Sequence, residues 1–183
     1  MICKIVSPQN LRLKLALLSF RSLCNLLVIK IIVMNQPYKV AEVKLSYRTR
    51  INESERIQVS NPHDCYNVFI AHWDKGQLEH KEAFKMLLLN QSNVVLGIYN
   101  ISDGSIGGTC VDVRIILQAA LLANASSIVL AHNHPSGELA SSYSDRSMTG
   151  QIKKAAMYLN INLYDHLIIC KDKYYSFADK GIL

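Results

Sequence analysis

A short apolar run at residues 127–131, Ser-Ile-Val-Leu-Ala, leads directly into His132-Asn133-His134-Pro135-Ser136-Gly137. No other feature constrains the chain as much. Residues i and i+2 of a strand share a face, so both imidazoles leave the strand end together while Asn133 points away. Pro135-Ser136-Gly137 then turns the chain sharply. A loop at residues 135–141 returns the start of the next helix, expected over 143–159, to the two rings. It carries Asp145, eleven positions after His134. Two imidazole nitrogens and a carboxylate suit a divalent ion such as Zn2+, which in catalytic sites keeps three protein ligands and one open position. The same residues also have a purely structural reading. Ser142-Tyr143-Ser144-Asp145 has the spacing of a helix capping box, with Ser142 at the cap. Spacing alone leaves both readings standing.

Hydrolysis at such an ion needs a base for the proton of water, and a carboxylate within hydrogen-bond reach supplies one. Glu79, Glu82 and Glu138 are the candidates. Glu82 stands just before the apolar run at 84–89, a rigid place to hold a catalytic group. Glu79 lies beside His80 and Lys81, where exposure is expected, and Glu138 lies on the loop after the histidines. The structural alternative for Glu82 is an ordinary charge at a strand edge.

Around this motif strands and helices mix without strict βαβ repetition, which predicts a mixed α/β sheet flanked by helices. Residues 40–47 alternate as a strand does. Asn61-Pro62 opens a helix to about residue 74, with Asn as cap and Pro at the first helical position. Residues 84–89 and 94–101 read as a hairpin of two core strands across Asn90-Gln91-Ser92-Asn93. A Gly-rich loop follows at 103–109, then a helix over 111–125 with Ile115, Ala119 and Leu122 on its apolar stripe. Strands at 162–170 and 173–176 close the chain.

Residues 1–33 differ from the rest. They are apolar and basic, and Lys14, Arg21 and Lys30 interrupt the run too often for a membrane span. An interfacial helix, a poor export signal and translated sequence upstream of a true start at Met34 are the readings, and the last is favoured. This segment carries five of the six net positive charges (Lys4, Arg12, Lys14, Arg21 and Lys30, with no acid), so the remainder is nearly neutral. Nucleic acid as a partner is therefore not supported by charge. The five cysteines are scattered, odd in number and without a CxxC pair, which predicts a reducing cytoplasm rather than a disulfide framework. The organisation expected is an extension at 1–33, a strand and lead-in at 34–60, and the metal domain at 61–183.

His132-x-His134, then Ser142, then Asp145 resembles the JAMM signature of MPN/JAB-domain metalloproteases, and the fuller resemblance is to the bacterial RadC family. Its phrases run in order through residues 40–183: Lys81-Glu82-x-Phe84-Lys85-Met86-Leu87-Leu88-Leu89-Asn90, Gly108-Thr109, the stretch from Asn124 to Gly137, Asp165-His166, and Tyr175-Ser176-Phe177. The resemblance implies a JAB1/MPN (cytidine-deaminase-like) architecture, a curved mixed sheet sandwiched by helices. It implies zinc ligands at His132, His134 and Asp145, Glu82 as general base, and Ser142 as hydrogen-bond donor to an oxyanion. The implied reaction is hydrolysis of a peptide or isopeptide amide: zinc polarises the carbonyl, Glu82 takes the water proton and returns it to the leaving amine. Within this picture Asp165 is expected to support a ligating imidazole and His166 to be structural. Longer family members carry a helix-hairpin-helix region ahead of the metal domain. Residues 40–80 offer one strand, one helix and no repeated Gly-rich hairpin, so DNA binding by such a module is not expected. A non-catalytic metal-binding or DNA-repair-associated interaction domain is the competing function, and a metal-dependent nuclease a third.

Overall fold

The computed structural model describes residues 51–105 and 110–183. The expected strand at 40–47, the basic segment 1–33 and the pair Gly108-Thr109 lie outside the described residues.

Helix α1 (Pro62–Ala71) begins as its sequence requires. Asn61 is extended and its side chain accepts the N–H of Asp64, while Pro62 occupies the first helical position, where a missing N–H costs nothing. The helix stops three residues short of the expected end, and the chain then reaches β1 (Ala83–Leu89). Strand β2 (Val95–Asp103), helix α2 (Val113–Leu122) and strand β3 (Ser127–Asn133) follow. Helix α3 (Tyr143–Met157) and strands β4 (Asn162–Ile169) and β5 (Tyr174–Ser176) complete the order.

The strands form one mixed sheet in the order β2-β1-β3-β4-β5. β1 is antiparallel to both β2 and β3, β3 and β4 are parallel, and β4 and β5 are antiparallel. A parallel pair needs a crossover, and α3 supplies the one between β3 and β4. This mixed α/β sheet with helices on both faces is the architecture expected of a JAB/MPN fold.

Alternation along the strands separates two cores. Leu87, Leu89, Val129, Ala131, Leu167 and Ile169 pack with Phe69 and Trp73 on the α1 face. Phe84, Met86, Leu88, Ile128 and Leu130 pack with Ile116 and Ile152 on the face covered by α2 and α3. His132 continues the parity of Ile128 and Leu130, so its ring is delivered to the α3 side, where Asp145 begins a helix.

Two expectations are corrected. The buried residues of α2 are Ile116 and Ala120, whereas Ile115 and Leu122 are 39% and 53% exposed. The helix is apolar nearly all round, so its periodicity does not select a face and the sheet does. β2 is an edge strand, only half-buried, not a second core strand. An apolar run has the same composition whether one neighbour pairs with it or two.

Candidate metal centre

The group assembles from the end of β3 and the start of α3. His132 Nε2 lies 3.0 Å from His134 Nε2 and 3.4 Å from Asp145 Oδ1, and His134 Nε2 lies 3.8 Å from Asp145 Oδ2. Ligands held about 2.0–2.1 Å from a tetrahedral ion stand roughly 3.3 Å apart, and these separations bracket that value. His132, His134 and Asp145 are thus a group that can hold a metal ion.

The capping box and the metal reading, alternatives in the sequence, coexist. Asp145 Oδ2 accepts from the backbone N–H of Ser142 and from its hydroxyl, both at 2.7 Å. Ser142 Oγ accepts the Asp145 N–H at 3.1 Å, completing the box at the start of α3. Oδ1 is the oxygen turned toward His132. The cap therefore holds the carboxylate in the orientation a ligand needs.

The chemistry of the donors fits a cation. Nδ1 of His134 lies 2.7 Å from the carbonyl of Glu138. A carbonyl only accepts, so Nδ1 carries a proton, and Nε2 is the nitrogen turned to His132 and Asp145. Nδ1 of His132 lies 2.9 Å from Nε2 of His166, and the Phe84 ring lies parallel to the His132 ring at 4° and 5.8 Å. Burial pushes His132 down to about 4, which the charge of Asp145 only partly counters and that of His134 reinforces. Burial would raise Asp145, but the Ser142 hydrogen bond and the imidazoles of His132 and His134 outweigh it and hold the carboxyl low. His132 is therefore a neutral imidazole beside the ionised carboxylate of Asp145, the forms in which these two groups bind a metal.

Asn133 points to the opposite side, as expected, and is fully buried. Its Oδ1 accepts the N–H of Ala83 at 2.7 Å, and its Nδ2 donates to the carbonyls of Leu78 and Lys81. Those three bonds clamp the segment that carries Glu82 against β3. The backbone of Glu82 is held further by Ser105 and Gly104. Glu82 immediately precedes β1, in which Phe84 pairs with His132, so it lies on the segment that leads into the strand beside β3. Glu79 and Glu138 are exposed.

Asp165 does not support a ligating ring. It accepts from Ser176 Oγ, the Ala178 N–H and the backbone N–H of His166, and from no imidazole ring. The imidazole beside His132 belongs to His166, one residue on. Strand parity explains the correction: adjacent residues face opposite sides of a sheet, and the α3 face of β4 falls on 166. The β3–β4 register, which pairs Leu130 with His166, carries this information, and the sequence does not print it. Thr149, which contacts His166, likewise carried no signal in the sequence.

Residues 59–182 match the family model of the RadC-like JAB domain. A UPF0758 protein of Flavobacterium johnsoniae is 40% identical over 144 residues, covering 78% of this chain and 62% of the relative. One from Porphyromonas gingivalis is 46% identical over 104 residues, 56% of this chain and 46% of its own length. One from Clostridium beijerinckii is 31% identical over 165 residues, 90% of this chain and 71% of its own length. The chain spans less than two thirds of the length of the first two. Among the described residues no helix is long and apolar enough to cross a membrane.

Proposed function

The chain belongs to the RadC-like JAB domain family, and from that premise we propose that it is a zinc-dependent hydrolase of peptide or isopeptide amides. His132, His134 and Asp145 hold the ion, Glu82 is the general base, and Ser142 donates to the oxyanion. The observation that carries this reading is the convergence of two imidazole Nε2 atoms, 3.0 Å apart, with the carboxylate of Asp145, whose Oδ1 is 3.4 Å from His132 and whose Oδ2 is 3.8 Å from His134. When bound, zinc supplies a Lewis acid that polarises a carbonyl and acidifies water.

The remaining work falls to the chain. Glu82 takes a proton from water and passes it to the leaving amine, and its place before a rigid central strand holds it for both transfers. Ser142 has two duties. Its Oγ accepts from Asp145 N–H as the cap, and its proton, now directed to Asp145 Oδ2, turns toward a developing oxyanion. The reducing cytoplasmic setting is part of the same proposal, and Cys65, Cys110 and Cys170 are free.

The test compares wild type with Glu82→Gln, measuring zinc content and hydrolysis of a panel of peptide and isopeptide amides. Hydrolysis by wild type, abolished by chelation, and its loss in Glu82→Gln with zinc retained, is the expected result. Equal turnover by both proteins, or none by either, removes the hydrolase reading and leaves a metal-binding interaction domain.

A further inference from the structure

Behind His132 lies a run of polar contacts that the three ligands do not account for. Its Nδ1 is 2.9 Å from Nε2 of His166, and Nδ1 of His166 is 2.6 Å from Oγ1 of Thr149. Thr149 Oγ1 in turn lies 2.5 Å from the backbone carbonyl of Asp145. His132, Thr149 and His166 are all at least 98% buried. We propose that Thr149 and His166 are positioning residues that dictate which nitrogen of His132 carries its proton and tie that ring to Asp145.

The direction of each bond follows from counting protons. A carbonyl accepts and never donates, so the single hydroxyl proton of Thr149 goes to the Asp145 carbonyl. Oγ1 is then an acceptor toward His166, whose Nδ1 must bear the N–H. With one proton per ring, His166 Nε2 presents a lone pair and accepts from His132. His132 Nδ1 therefore carries the N–H, and its Nε2 lone pair is left facing His134 and Asp145 Oδ1. The run starts on the backbone of one acid and ends on the ring beside that acid's own carboxylate, 3.4 Å away. Strand β3, strand β4 and helix α3 are thereby fastened in one circuit, so a shift of α3 disturbs ring and carboxylate together. Phe84 and Phe177 close the sides: the His132 ring lies over Phe84, and the His166 ring stacks on Phe177 at 4.6 Å.

The proposal deepens the zinc reading and rests on it. Groups hydrogen-bonded to the far nitrogen of a ligating histidine are typically worth about 10–100-fold in metal affinity. The experiment uses the full chain as wild type, Thr149→Ser and the near-isosteric Thr149→Val. Zn2+ affinity is measured by competition with a chromogenic chelator, and histidine tautomers by 15N chemical shifts in the metal-free protein. Wild type and Thr149→Ser should both show Nδ1–H at His132 and at His166, with similar affinity. Thr149→Val should lose about 10–100-fold in affinity and show mixed tautomers at both rings. Unchanged tautomers and affinity in Thr149→Val overturn the proposal. So does an Nε2 proton on His166 in wild type, a result that needs no variant to fold. Failure of wild type to bind Zn2+ at all, with the tautomers as described, defeats the metal reading instead and leaves the relay as the only part supported.

Discussion

Asp145 turns Oδ1 to His132 Nε2 at 3.4 Å while its other oxygen holds the cap of its own helix. Ligand geometry and helix initiation are therefore one event. Ser142→Ala removes two of the three hydrogen bonds of the box. The expected loss is about 0.5–2 kcal/mol by urea unfolding of the metal-free protein. Zinc affinity should fall as well, because Oδ2 is freed to rotate. Unchanged metal-free stability would show that the cap contributes nothing.

Asn133 satisfies three backbone groups on the segment that carries Glu82. Asn133→Ala strips partners from buried groups around Leu78, Lys81 and Ala83, so a loss on the order of 2–4 kcal/mol is expected. The ligands are untouched, so hydrolysis should suffer more than zinc binding. Equilibrium unfolding checks the stability loss, and amide hydrolysis set against chelator competition on the same sample decides between the two.

Gly137 sits at φ +76°, with open space where a Cβ would go. Its N–H donates to the His134 carbonyl, and the turn it closes presents the Glu138 carbonyl to His134 Nδ1. Gly137→Ala should cost about 1–2 kcal/mol through backbone strain alone and weaken zinc binding. Glu138→Ala keeps the carbonyl and should bind zinc as wild type does. A larger effect from Glu138→Ala than from Gly137→Ala would refute this account of the turn.

The metal-free protein should lose stability on mild acidification. Unfolded, His132 takes a proton near its ordinary 6.5, whereas in the fold burial holds it down to about 4. Between these values the unfolded chain binds more protons. The contribution is whole above 6.5 and is lost as pH falls toward 4, at up to about 1.4 kcal/mol per pH unit. His166, held well below its ordinary value by burial, acts in the same sense. Asp165, raised by burial, acts in the opposite sense. Urea midpoints at about pH 7, 6 and 5 should fall steadily, and a flat series would contradict the burial of these rings.

Elements opened by a cap, or made of a short buried run, were the most legible. Asn61-Pro62 marked the start of α1, and the apolar run before His132 marked β3, because caps and short buried strands write their requirements into adjacent residues. The buried face of α2 is not legible, as exposed Ile115 and Leu122 show. Ala, Leu and Ile surround that helix, and no local pattern tells which side meets the sheet. Asp165 and His166 are not told apart in the sequence for a similar reason: both are polar, adjacent and buried, and they differ only in parity.

Local chemistry thus determined the ligand types and their common strand end, since two residues apart on a strand and a capped helix start are relations of neighbours in the chain. Tertiary structure alone decided what stands behind them. The pairing of Phe84 with His132, of Leu130 with His166, and the approach of Thr149 to His166 join residues 48, 36 and 17 positions apart. Register and helix docking bring them together, and these depend on the whole sheet burying its two faces at once.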